Sequence, residues 1–203
     1  MNKYITFKTL WGYIVSLVNR FTPLDLGGDT IEKIYNFQAI TESLYTSGQP
    51  TEDQLMLIQQ AGFDVVVNLA PHGVENALDD EESIVSILGM KYYHIPVDFK
   101  NPQRKDYARF VKLLSSLKNK RVWLHCAANM RVSAFMYLYR TQVFKESKDV
   151  VKEDMYEIWQ PFGVWEKFIS EMERKARKRK KLEKAKREDK KTKLLKSTNG
   201  SST

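Results

Sequence analysis

The sequence predicts an α/β domain over roughly residues 30–170, with a mainly parallel sheet flanked by helices. Two observations carry that prediction. Strands read at Asp64–Leu69, Lys91–Val97 and Arg121–Leu124 alternate with segments whose apolar residues recur at helical spacing. The first run, Asp-Val-Val-Val-Asn-Leu, has no polar alternation, as expected of a strand covered on both faces.

The elements follow in order. Phe7, Leu10, Trp11, Ile14 and Leu17 recur at helical spacing among Lys3, Lys8 and Arg20, which predicts an N-terminal helix docked on the domain, with a membrane-surface helix or the start of a secretion signal as the alternatives. A Pro/Gly-bearing linker, Thr22–Asp29, separates it from the body, so residues 1–29 are read as helix and linker. Residues 34–44 are mixed in pattern and end at a turn, Ser47-Gly48-Gln49-Pro50. Thr51 with Gln54 three residues on reads as a capping box, opening a helix that Gly62 stops. Further helices are expected over 79–88, from Asn101-Pro102 onward with Tyr107, Phe110, Val111 and Leu114 as its stripe, and over 131–144. Met155, Ile158, Trp159, Trp165, Phe168 and Ile169 predict a last packed helical segment.

The formal charge of +8 is unevenly placed. Residues 171–196 hold 14 Lys/Arg and 5 Asp/Glu, and the rest of the chain is close to neutral. Basicity therefore belongs to a tail, 171–203, read as a helical extension or a disordered segment that could meet an anionic partner. The tail lacks the interleaved aromatics of single-strand binders, and no run approaches the ~20 apolar residues of a membrane span. Neither nucleic acid nor membrane is a strong expectation. The one cysteine precludes an intramolecular disulfide, and a lone thiol fits a reducing, cytoplasmic setting. Three scattered histidines and that cysteine have no metal-ligand spacing, so neither metal nor cofactor is expected. The Phe21-Thr22-Pro23 segment offers no small-x-small cleavage site for a secretion signal.

The informative segment runs from Arg121 to Phe135. A buried strand delivers Cys126 to its carboxyl end, a short loop follows, and a helix begins at about Arg131. Ligands of open α/β sheets bind at that end of the strands. Loop amides and a helix N-terminus there attract an anion and favour thiolate over thiol. An arginine closing the loop can grip two phosphoryl oxygens at once. A lone cysteine is more often structural. The preceding His125, the arginine five residues on and the strand–loop–helix context favour function.

His125-Cys-Ala-Ala-Asn-Met-Arg131 resembles the signature of protein tyrosine and dual-specificity phosphatases, whose usual loop is one residue longer. Leu44-Tyr-Thr-Ser-Gly-Gln-Pro50, Val66-Val-Asn-Leu-Ala70 and His94-Ile-Pro-Val-Asp98 resemble a bacterial-type branch related to β-lactamase-hydrolase-associated domains, which has the shorter loop. The resemblance covers about residues 34–145. It implies Cys126 as nucleophile, Arg131 as phosphate ligand and Asp98, 28 residues before the cysteine, as general acid. It also implies a phosphate loop of Ala127, Ala128, Asn129 and Met130, with Ser133 as the hydroxyl that stabilises the leaving thiolate. Asn129 stands where the longer loop has glycine, and Asn tolerates left-handed backbone. His125 is implied to orient the loop through hydrogen bonds to backbone.

Asp106 competes with Asp98 but falls inside the next helix. His72, in the loop after the first predicted strand, faces the same sheet edge, and Glu81 and Glu82 read as solvated helix residues. The expected function is a phosphatase acting on a phosphorylated protein or a small phosphoester. Two alternatives remain open: a rhodanese-like sulfurtransferase using a Cys126 persulfide, and a non-catalytic phosphate-binding module.

Overall fold

The computed structural model describes residues 30–199, together with Ile14 and Val18, which are helical. The N-terminal helix and linker expected over 1–29 otherwise lie outside the described residues. Five short strands form one sheet: β1 (Gln38–Thr41), β2 (Leu44–Ser47), β3 (Val65–Asn68), β4 (Lys91–His94) and β5 (Val122–His125). Their order is β1-β2-β5-β3-β4. β1 and β2 form an antiparallel pair, and every other pairing is parallel. The three expected strands are β3, β4 and β5. β1 and β2 were not anticipated, because four-residue strands in a stretch of mixed polarity give no periodic signal; β1 alternates half-buried and exposed residues.

The helices are α1 (Glu52–Gln60), α2 (Glu81–Ile87), α3 (Arg104–Ser116), α4 (Met130–Tyr139), α5 (Lys148–Ile158) and α6 (Val164–Asn199). α4 runs on into a π-helical turn, Arg140–Phe144. The α1 capping box is present in both directions: the Gln54 amide donates to Thr51 Oγ1 (3.2 Å) and the Thr51 amide to Gln54 Oε1 (3.1 Å). Gly62 follows the helix at φ 82°, the left-handed conformation that stops it.

Alternation along the central strands divides the core in two. Val65, Val67, Leu69, Val122, Leu124 and Cys126 join a large cluster with residues of α3, α4, α5 and α6. Val66 and Trp123 point the other way, into a smaller cluster with Leu55 and Ile58 of α1 and Val85 of α2. The result is a sheet sandwiched between helical layers. Val132–Tyr139 of α4 are all buried, so this helix is apolar around its circumference and sits inside the larger layer.

α6 crosses the predicted boundary at 171 without a break. Trp165, Phe168 and Ile169 are buried against the core, and the helix continues on Lys, Arg, Glu and Ala with ion pairs four residues apart, Arg179–Glu183 (3.6 Å) and Lys184–Glu188 (3.7 Å) among them. Among the described residues, no helix is long and apolar enough to cross a membrane.

The α1 cap gives a direct check. Thr51→Ala removes one half of the box and is expected to cost about 1 kcal/mol in urea unfolding. An unchanged midpoint would mean that tertiary packing alone holds this helix end.

Candidate active site

Parallel register aligns the ends of four strands. His125 closes β5 between Ser47 of β2 and Asn68 of β3, and Asn68 in turn pairs with His94 of β4. Four loops leave from this row, and one of them is the cysteine loop. Cys126 still belongs to the sheet: its amide donates to the Ser47 carbonyl (3.4 Å), and the Leu69 amide donates to the His125 carbonyl beside it (2.8 Å). The thiol is fully buried, at the carboxyl edge of the central strand.

The loop from Ala127 to Asn129 is held from outside. The Ala127 carbonyl accepts from the Gln49 amide (3.3 Å) and from Asn76 Nδ2 (2.9 Å), and the Ala128 carbonyl accepts from Asn36 Nδ2 (3.0 Å). Asn129 is buried in left-handed backbone, φ 60° and ψ 0°, and its Nδ2 donates to the Asn36 carbonyl (2.7 Å) and Thr46 Oγ1 (3.0 Å). That conformation turns the chain sharply from loop into α4. The helix bonds begin with the Ser133 amide on the Asn129 carbonyl (2.8 Å), so the amides of Met130, Arg131 and Val132 have no acceptor within α4. Gly48 lies against the loop. A Cβ there would fall 2.5 Å from the Tyr35 ring and 3.1 Å from the Ala127 carbonyl oxygen.

Arg131 is only 8% exposed. Its Nε donates to the Val97 carbonyl (2.9 Å), and its guanidinium lies 5.1 Å from the centre of the Phe99 ring. The arginine of the cysteine loop is therefore tied to the residues on either side of Asp98. Asp98 is exposed on a turn; its Oδ1 accepts from the Lys100 amide (2.8 Å) and its carbonyl from the Asn101 amide (3.2 Å). Phe99 contacts Trp159 and Trp165, each with ring centres 5.6 Å away, and Trp165 Nε1 donates to its carbonyl (2.9 Å). The aromatic segment near the C-terminus thus braces the Asp98 turn, a role the sequence did not reveal.

Two expected roles look different in three dimensions. The Ser133 hydroxyl donates to the Met130 carbonyl (3.1 Å) and accepts from Trp159 Nε1 (3.1 Å), bonds directed within α4 and toward α5 rather than to the Cys126 sulfur. His125 does not hydrogen-bond backbone through its ring; Nε2 stands 3.1 Å from Glu81 Oε1, a close approach without hydrogen-bond alignment. Asp106 is buried in the first turn of α3, 3.9 Å from Arg109. His72 is exposed, its ring edge-on to His94 at 4.1 Å.

Glu81 is the residue that sequence reasoning misplaced. It is 5% exposed, not solvated. Oε1 accepts from Gln49 Nε2 (2.6 Å) beside His125, and Oε2 accepts from Asn68 Nδ2 (2.7 Å) and the Tyr92 hydroxyl (2.9 Å). One carboxylate therefore joins β3, β4, β5 and the turn after β2 directly behind the cysteine. Burial opposes its ionisation, but the closeness of His125 and the hydrogen bonds from Gln49 and Tyr92 prevail and hold the carboxyl down at about 2. A depressed carboxyl stabilises the fold above its unfolded value, and that contribution fades as pH falls from about 4.5 through about 2. Glu81→Gln should cost about 3 kcal/mol at neutral pH and flatten the acid limb of stability measured by urea unfolding. Parallel acid limbs in the two proteins would contradict the ionised, paired carboxylate.

Among the described residues, no group of three or more His, Cys, Asp or Glu side chains could hold a metal ion. A search of curated proteins finds no match. Among solved structures, a DUF442 protein of Shewanella putrefaciens CN-32 is 35% identical with a TM-score of 0.66, covering 72% of this chain and 96% of its own. Tk-PTP in its active form is 17% identical with a TM-score of 0.59, covering 68% of this chain and 97% of its own. The catalytic core of the PP-IP phosphatase Siw14 of S. cerevisiae, in complex with citrate, is 15% identical with a TM-score of 0.58, covering 72% of this chain and 94% of its own; these last two share the fold. Residues 31–197 match the family described as DSP-PTPase phosphatase fused to NAD+ kinase. The chain belongs to that family, within the protein tyrosine and dual-specificity phosphatase-like superfamily.

Proposed function

We propose that this phosphatase-family chain is a phosphomonoesterase that works through a phosphocysteine on Cys126. The observation that carries the reading is the Arg131–Val97 hydrogen bond, which joins the cysteine loop to the turn bearing Asp98. It brings a nucleophile, a cation and an exposed carboxyl to one edge of the sheet.

In the first step the Cys126 thiolate attacks phosphorus as the bond to the leaving oxygen breaks, and Asp98 gives that oxygen its proton. In the second, Asp98 takes a proton from water, the water oxygen attacks phosphorus, and the thiolate leaves with inorganic phosphate as product. Arg131 uses Nε on the Val97 carbonyl, which leaves its Nη groups to bind equatorial phosphoryl oxygens. The first-turn amides of α4 face the same charge, donors fixed before the transition state forms. Arg131 stacked on Phe99 keeps its planar fork aligned.

The substrate is a phosphorylated protein or a small phosphoester, phosphotyrosine being the first class to test and the PP-IP class named for Siw14 the second. A lone buried thiol fits a reducing compartment, so we assign the chain to the cytoplasm. Sulfur transfer needs no acid at a leaving oxygen, and the proteins compared above carry phosphatase names.

Hydrolysis of an aryl phosphate tests the reading. Cys126→Ser should abolish turnover. Asp98→Asn should lower kcat by about 100-fold to 10,000-fold, the usual contribution of a general acid, with little change in KM. Turnover that survives in Cys126→Ser, or thiosulfate-to-cyanide transfer in place of hydrolysis, would contradict it.

A further inference from the structure

The surplus positive charge of the chain is carried by α6, and that helix forms one wall of a groove. The opposite wall is the π-helical turn and the start of α5. The space between is about 530 Å³ and is lined by seven lysines and arginines against two glutamates. Arg177, Lys180, Lys184 and Arg187 come from α6, and Lys145 and Lys148 from the facing wall. Steps of three, four and three residues put these four on one face, over about 15 Å of helix axis, and Arg179 of the same helix is the seventh cation of the lining. Lys145 follows the π-helical turn in left-handed backbone, φ 64°. A non-glycine residue holds that conformation at a cost, and π-helical turns recur at functional sites.

With Glu188, which lies outside the lining and pairs with Lys184 (3.7 Å), three carboxylates still leave four of the seven charges uncompensated. Glu173 lies at the base, where Oε1 accepts from the Tyr137 hydroxyl (2.7 Å) and Lys148 Nζ (2.6 Å), with Arg177 at 3.6 Å from Oε2. Burial opposes its ionisation, and the Lys148 and Tyr137 hydrogen bonds with the Lys148 and Arg177 charges outweigh burial. Glu183 pairs with Arg179 (3.6 Å). Lys145 meets only the neutral Gln142 carbonyl, and Lys180 and Arg187 have no carboxylate partner among the described residues.

We propose that this groove binds a compact, multiply phosphorylated anion at a site separate from Cys126. Cations on two facing walls suit a ligand carrying negative charge on all sides, whereas a flat anionic membrane meets one convex face. The volume is that of a small-ligand site. No aromatic residue lines the groove, so a nucleic acid would find nothing on which to stack its bases. α4 begins at the cysteine loop and ends at the groove, which puts the groove about 15 Å along that helix from the loop.

The test is calorimetric titration of inorganic tripolyphosphate into the full chain and two triple variants. Lys145→Gln/Lys180→Gln/Arg187→Gln removes three of the seven cations, taking charge from both walls. Lys178→Gln/Lys181→Gln/Lys186→Gln removes the same number of charges, all from α6, at residues that do not line the groove. The first should weaken binding at least about tenfold and the second less than about threefold, because direct charge-assisted hydrogen bonds outweigh screened, distant charge. Equal losses, or no loss in the first variant, would overturn the proposal. So would binding abolished by Arg131→Ala alone, which would assign the anion to the cysteine loop. A single-stranded oligonucleotide and phosphatidylserine vesicles are titrated alongside. Tighter binding of either, weakened equally by both triple changes, would make the helix a general polyanion tether and likewise overturn it. Aryl phosphate turnover should be unchanged in the first variant, so a failed phosphatase reading is seen separately as no turnover in any form.

Discussion

Everything at the candidate site depends on parallel pairing of β5 with β2 on one side and β3 on the other. Parallel strands place their carboxyl ends on the same edge, and the register here puts Ser47, His125 and Asn68 in one row. Cys126 is one residue beyond that row, still bonded to the sheet through its amide. A side chain on a free loop would have to be ordered when a ligand arrives. Here the sheet orders Cys126 in advance, and α4, buried all round, fixes the direction in which the loop leaves.

Two different forces hold the loop in place. Beneath the strand ends, the Glu81 carboxylate gathers Gln49, Asn68, Tyr92 and His125. A buried charge is costly, and it is retained where its lone pairs are as fully used as these are. On the other side the bracing is aromatic: Phe99, Trp159 and Trp165 pack together, while Trp165 fixes the Phe99 backbone and Trp159 the Ser133 hydroxyl. The segment from α5 into α6 therefore belongs to the site's framework, even though none of its residues is assigned a chemical role.

Legibility in the sequence followed locality. The α1 cap was readable because Thr51 and Gln54 satisfy one another across three residues, and the left-handed turn at Asn129 because few side chains tolerate it. The buried strands were readable from unbroken apolar runs. β1 and β2 were not, since four residues cannot display a period. Glu81 was misread because a glutamate beside Asp79, Asp80 and Glu82 has the local pattern of a wet helix face. Its burial comes from partners 11 to 44 residues away, beyond any local window. Ser133 shows the same limit: spacing set its place on α4, but Trp159, 26 residues on, sets where its hydroxyl points.

The central claim is that Cys126 carries the phosphoryl group between substrate and water. Its most direct test is to mix the protein with an excess of aryl phosphate, quench in acid within the first turnovers and map the digest by mass spectrometry. A single phosphoryl adduct on the peptide containing Cys126, absent from Cys126→Ser, is the predicted result. Steady turnover with no adduct there, or an adduct on another residue, would contradict the account.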